Sequence, residues 1–243
     1  MDKRTQGAWI IHHTDKLQGI VNADNEYEAI NLAGKCGLLL SSLAASDDQR
    51  ISKARLDALS KASNINIRTE QKAILDELEK QKLIIRSGDE INILGLTTVT
   101  TLEHTATIFY DSEPDNREIA AIDLSEKVSE LPIDEKIAKE YIADTYKLDT
   151  AKVANFLDAS DKIGFVDMEN VDSSRKMIFN GNLFRRDEVR KINAICSHLS
   201  ESDGRKIKEL DDKLKTQGCV PISLANQVLG DDLFKKLQSI GIY

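Results

Sequence analysis

The sequence predicts a mainly helical α+β protein whose strands lie in small β-hairpins. Three observations lead there. An arrangement of helix, short helix, helix and hairpin can be read over residues 26–96 and again over 116–184, and a third copy opens near Asp203 and stops at Gly241-Ile242-Tyr243, where its hairpin would begin. Apolar residues recur at helical spacing along much of the chain, whereas the β-rich runs are short and bounded by turn residues. Aromatic residues make up only 5%, so the cores are expected to consist of Leu, Ile, Val and Ala.

Taken in order, Ala8-Trp9-Ile10-Ile11-His12-His13 reads as a strand, with Gly19-Ile20-Val21-Asn22 as its return, so residues 1–25 form an N-terminal strand segment. Asn25 then caps a helix with Glu28 as its capping-box partner, and Ile30, Ala33, Leu38 and Leu40 line its inner face. After the polar break at Asp47-Asp48, a second helix carries Ile51, Leu56 and Leu59. A turn at Asn64–Ile67 precedes a third helix, capped by Thr69 and buried through Ala73, Ile74, Leu75 and Leu78. The run Leu83 to Leu94, divided by a polar stretch containing Gly88, is a hairpin signal. Residues 97–110, rich in Thr, fit a strand or an irregular linker equally.

Asp111-Ser112-Glu113-Pro114-Asp115-Asn116 is the main break, separating a first domain (26–110) from a second (111–184). In the second, Ile119, Ile122 and Val128 mark one helix, Asp134 caps the next, and Asp149 caps a third with Val153, Phe156 and Leu157 inward. Lys162–Met168 then faces Lys176–Phe179 as the clearer hairpin. Residues 185–243 read as a helical region and a truncated third copy.

The totals narrow the function classes. No stretch approaches the roughly 18 apolar residues of a membrane span, and the start carries no signal-peptide pattern, so the expected location is cytoplasmic with no membrane partner. Cys36, Cys196 and Cys219 are widely spaced and form no zinc or disulfide pattern. His12 and His13 would face opposite ways in a strand, and His104 and His198 have no close sequence partner, so no metal site is read. No phosphate-binding, dinucleotide, nucleophile-elbow or zinc-protease motif occurs, and the chain is read as a non-enzyme without cofactors. The net charge of −8 argues against a uniformly basic nucleic-acid protein, but the charge is segregated. Residues 111–140 hold ten Asp/Glu against four Lys/Arg, whereas 175–193 hold six Lys/Arg against two acids.

Helix, helix, turn, helix and hairpin within about seventy residues resembles the winged-helix superfamily, here as tandem winged-helix-like domains. The resemblance implies a helix-turn-helix whose third helix enters the major groove while the hairpin touches the DNA backbone. On this chain it singles out Arg68, Thr69, Gln71, Lys72, Lys80 and Lys82 in the first domain and Lys152 and Asn155 in the second. Arg68 and Asn155 are the residues suited to bidentate base contacts. Arg175 and Lys176 at the hairpin, with Arg185, Arg186, Arg190 and Lys191 beyond it, make the strongest basic cluster and suit phosphate. The leading reading is duplex DNA binding, in regulation or a nucleoprotein assembly. The other is a scaffold that binds protein partners, or itself, through the same modules without DNA.

Overall fold

The structure is a computed structural model that describes residues 1–18, 20, 26–46, 48–171, 175–183, 194–195 and 198–239. Among the described residues the chain is mainly helical with small β-hairpins, as the sequence led one to expect, but each hairpin is completed to a three-stranded antiparallel sheet by a strand that was not expected, and Ile51, read on the second helix, lies in the first of these strands. It divides into two compact units, one of residues 1–127 and 139–166, the other of 128–138 and 167–243.

The first unit begins with a correction. Residues 8–13 are not a strand but the middle of α1 (Lys3–Leu17), whose first N–H groups are capped by the Asp2 carboxylate. Its inward positions are Gly7, Ile10, His13, Thr14 and Leu17, a helical spacing of three and four. α1 packs against α2 (Glu28–Ala44) and α5 (Thr98–Asp111). Small residues set the separation: an added side-chain carbon on Gly7 would meet the Leu102 carbonyl oxygen at 2.0 Å, and one on Gly34 would meet Thr14 Oγ1 at 1.8 Å. The Thr14 hydroxyl also donates to the Ile30 carbonyl at 3.0 Å, joining α1 to α2 without an unsatisfied polar group. Residues 98–111, left open between strand and linker, are helix. Thr97 and Thr100 form a reciprocal capping box, and Thr101 and Thr105 return their hydroxyls to carbonyls one turn back.

Between α2 and α5 come β1 (Arg50–Ser52), α3 (Lys53–Ala62), α4 (Gln71–Lys80), β2 (Ile84–Ser87) and β3 (Glu90–Ile93). The sheet order is β1-β3-β2; Ile51 pairs with Ile91 and Ile84 with Ile93, and Ile51, Ile84 and Ile91 are buried. α6 (Asn116–Glu130), α7 (Glu135–Tyr146) and α8 (Thr150–Ile163) follow, α8 capped by Asp149 as read from the sequence and ended by Gly164 in a left-handed conformation.

The second unit holds β4 (Ile133–Asp134), β5 (Asp167–Asn170) and β6 (Lys176–Phe179) in the order β4-β6-β5. Met177 and Phe179 of β6 enter an apolar cluster with Leu210 of α9 (Glu201–Gln217), Leu229 of α10 (Ile222–Leu229) and Leu233, Phe234 and Leu237 of α11 (Asp231–Gln238). One order of elements thus occurs twice, α2-β1-α3-α4-β2-β3 and α6-β4-α7-α8-β5-β6, each with its last strand in the middle of the sheet. The expected strand return at Gly19–Asn22, the Asn25 cap and the terminal strand at 240–243 fall wholly or mostly outside the described residues.

Candidate nucleic-acid interface

The first helix pair is built tightly around its connecting loop. Ser52 caps α3, and Asn64 with φ of 55° reverses the chain after it, so that Ile65 turns inward and bonds back to the Ser60 carbonyl at 2.9 Å. Asn66 accepts the Arg68 N–H through its side-chain oxygen at 2.9 Å, an Asx turn that presents Arg68 outward. Thr69 is not the cap of α4: Glu70 stands at that position, without a side-chain cap bond, and Thr69 is an exposed turn residue.

α4 buries Ile74, Leu75 and Leu78 and exposes Lys72, Ala73, Asp76 and Lys80. Gln71, a sequence candidate for reading bases, is committed elsewhere. Its amide donates to Asp57 at 3.0 Å and Ser60 at 2.9 Å, pinning the start of α4 to α3. At the far end Lys80 pairs with Glu77 at 3.0 Å, and Lys82 lies beyond the helix with φ of 58°. Arg86 of the hairpin is folded back onto α4, reaching Asp76 at 2.7 Å and Glu79 at 2.5 Å. These bonds raise the Arg86 pKa and lower that of Glu79, each through the hydrogen bond to the other first of all.

The charge of this module is therefore polarised along α4. Residues 50–72 contain six Lys/Arg and two Asp/Glu, and one of those acids, Glu70, is paired with the buried Lys35. Residues 73–90 contain three Lys/Arg and five Asp/Glu. Arg55, Lys61, Arg68 and Lys72 are exposed and make no ion pair among the described residues. They flank the loop and the start of α4, where the helix dipole adds positive potential. Arg55 and Lys61 were missed in the sequence, although the local excess of basic residues over 50–72 was there to be counted.

The other candidates are arranged differently. α8 buries Val153, Phe156, Leu157 and Ser160 and exposes Lys152 and Asn155, but Lys152 lies 3.5 Å from the Asp149 cap and Lys162 2.6 Å from Asp158. That face is locally neutral. Arg175 and Lys176 are exposed at the hairpin, where the Arg175 carbonyl accepts the Val171 N–H at 3.0 Å. Arg185, Arg186, Arg190 and Lys191, the core of the basic cluster read from the sequence, lie outside the described residues.

Among the described residues no group of three or more His, Cys, Asp or Glu could hold a metal ion, and no helix is long and apolar enough to cross a membrane. No protein family, no curated protein and no solved structure matches the chain.

Proposed function

We propose that the chain is a tandem winged-helix-like protein that binds duplex DNA through the loop and first turn of α4, in a regulatory role or within a nucleoprotein assembly in the cytoplasm. The observation that carries this reading is the set of four exposed cations, Arg55, Lys61, Arg68 and Lys72, that make no ion pair among the described residues and stand around the start of the third helix of the module. In the winged-helix pattern that helix end meets the major groove. Arg68 supplies the planar fork for a guanine edge and Thr69 a hydroxyl beside it, while Lys72, Arg55 and Lys61 meet phosphates. The repeated order of elements and the shared strand order support two such modules, with the first as the reader.

The test is fluorescence anisotropy with a labelled duplex at low and physiological salt. Wild-type protein is expected to bind at micromolar concentration or below in low salt, and Arg68→Glu/Lys72→Glu to weaken binding by about a hundredfold, two charge-assisted contacts at about 1.4 kcal/mol each. Absence of wild-type binding at micromolar protein in low salt would remove this reading.

A protein-binding scaffold is the second reading. It is favoured by the self-neutralised face of α8 and by Ile137 on α7, an apolar side chain 56% exposed. It expects a partner lost on Ile137→Lys and untouched by changes at Arg68 and Lys72.

A further inference from the structure

The buried face of α2 is apolar except at one place. Lys35, between Gly34 and Cys36 and only 8% exposed, puts a charge into the interior of the first unit. Burying an ammonium group is unfavourable unless a well-placed acceptor offsets it. Its acceptor is Glu70, from the loop that carries Arg68. The two oxygens of Glu70 are divided: Oε1 takes the Lys35 ammonium and Oε2 takes the Asn66 N–H at 2.7 Å. Asn66 in turn holds the Arg68 N–H through its side chain, and its carbonyl accepts the N–H groups of Glu70 and Gln71 at 2.9 and 3.1 Å. A continuous chain of bonds therefore runs from the buried helix to the backbone of Arg68.

We infer that Lys35 is a positioning residue: through Glu70 and Asn66 it fixes the loop from which Arg68 would address a base edge. The function assigned to that loop rests on the DNA-binding reading above, whereas the clamp itself does not. Burial opposes ionisation of Glu70, but the Lys35 and Asn66 bonds outweigh it and hold the carboxyl below its ordinary range, which keeps Glu70 a carboxylate at neutral pH. Direction matters for base reading in a way it does not for phosphate. A bidentate contact needs Arg68 at one angle, while a phosphate contact tolerates displacement. Loss of the clamp should thus erode sequence preference before it erodes affinity.

Two readouts test this on the full chain. The first is amide hydrogen exchange at Asn66 and Arg68 without DNA. Lys35→Met, close in volume, should keep the helical circular-dichroism spectrum yet speed exchange at both amides by about tenfold, the loss of one charge-assisted bond. The second is anisotropy with a duplex selected by the wild type from a random pool and with its scrambled counterpart. The preference ratio should fall about tenfold in Lys35→Met, the lower end of one bidentate contact, with scrambled binding changed less than about twofold. Glu70→Gln, which keeps an acceptor for Asn66 but not the charge facing Lys35, should move both readouts the same way by less, and it stands in if Lys35→Met fails to fold.

Unchanged exchange in the folded variant overturns the clamp. Faster exchange with an unchanged preference ratio overturns its role in reading. If the wild type selects no duplex while Lys35→Met still speeds exchange, the clamp stands and the DNA reading alone falls.

Discussion

His13 is fully buried on α1, with its ring stacked on Phe165 at 4.0 Å between centroids. The Ser125 hydroxyl lies 2.9 Å from His13 Nε2 and 3.2 Å from the Phe165 carbonyl oxygen. His13 Nδ1 has no hydrogen-bond partner among the described residues. Protonation would place a charge and an unmatched N–H in the core. Burial, with the nearby charges of His12 and Lys16 adding to it, pushes the pKa down from 6.5 to about 3. The unfolded chain binds this proton first, so the stability tied to His13 is whole above pH 6.5 and is lost as pH falls from there toward 3. The expected loss is about 1.4 kcal/mol per pH unit within that window. Thermal melts between pH 7 and 4.5 check it: wild type should lose more stability than His13→Gln, which keeps a hydrogen-bonding amide but does not titrate. A second residue works across a similar sequence distance. The Glu118 carboxylate, 5% exposed, accepts the N–H groups of Ala29, Ile30 and Asp115 at 2.8, 3.1 and 3.0 Å. It thereby caps α2, whose own cap residue Tyr27 gives no side-chain bond. Glu118→Ala should cost about 2–3 kcal/mol and Glu118→Gln about 1 kcal/mol in urea denaturation, because the amide oxygen still accepts. Neither partnership was legible in sequence, since local patterns carry no trace of a bond across about a hundred residues.

The elements read correctly were those that announce their own ends. Asp149 before α8 is local chemistry and caps as expected, and both hairpins form; in the second, however, Lys162 and Ile163 belong to the end of α8 and the first strand is Asp167–Asn170 rather than Lys162–Met168. α1 was mistaken for a strand because Trp9-Ile10-Ile11 looks β-rich, while its true inward face passes through Gly7, His13 and Thr14, which no hydropathy pattern counts as core. The Thr-rich run of α5 does not read as helix from the sequence because β-branched Thr is a poor helix former in general. Here its hydroxyls supply the cap and bond to the preceding turn. Glycine gives the sharper test of this packing. Gly7→Ala would press on a carbonyl that cannot rotate away, and a loss of about 2–3 kcal/mol is expected from forced separation of α1 and α5. Gly204→Ala within α9 meets nothing within 4 Å and should instead gain about 0.5–1 kcal/mol from helix propensity. Parallel denaturation of the two variants decides it, and equal effects of one sign would contradict the described packing.

Over the whole molecule, charge is distributed in patches that the total conceals. A chain of net −8 carries a segment of six basic and two acidic residues over 50–72. The sequence reading placed the strongest basic cluster at 175–191; its candidates in the third helix of the first domain included Gln71 and Lys80, which the fold turns to other uses. What could not be read was which cations are already neutralised, because ion pairs such as Arg86 with Asp76 depend on the hairpin folding back on its helix. If Arg55, Lys61 and Lys72 meet phosphates while Arg68 reads a base edge, the logarithm of affinity against that of salt should have a slope of about −3. Titration of a labelled duplex across salt concentrations measures it. A slope near −7 would mean that a second group of cations, such as those at 175–191, also takes part.

The stacking of Phe165 on His13 also has a meaning in time. At about 5–20 residues per second, roughly 8 to 30 seconds separate the synthesis of the two rings. α2 and α5, which pack on α1, are made well before Phe165, so the His13 face of α1 is completed later than the rest of its packing. Until then the imidazole of His13 lacks the ring that covers it in the folded chain.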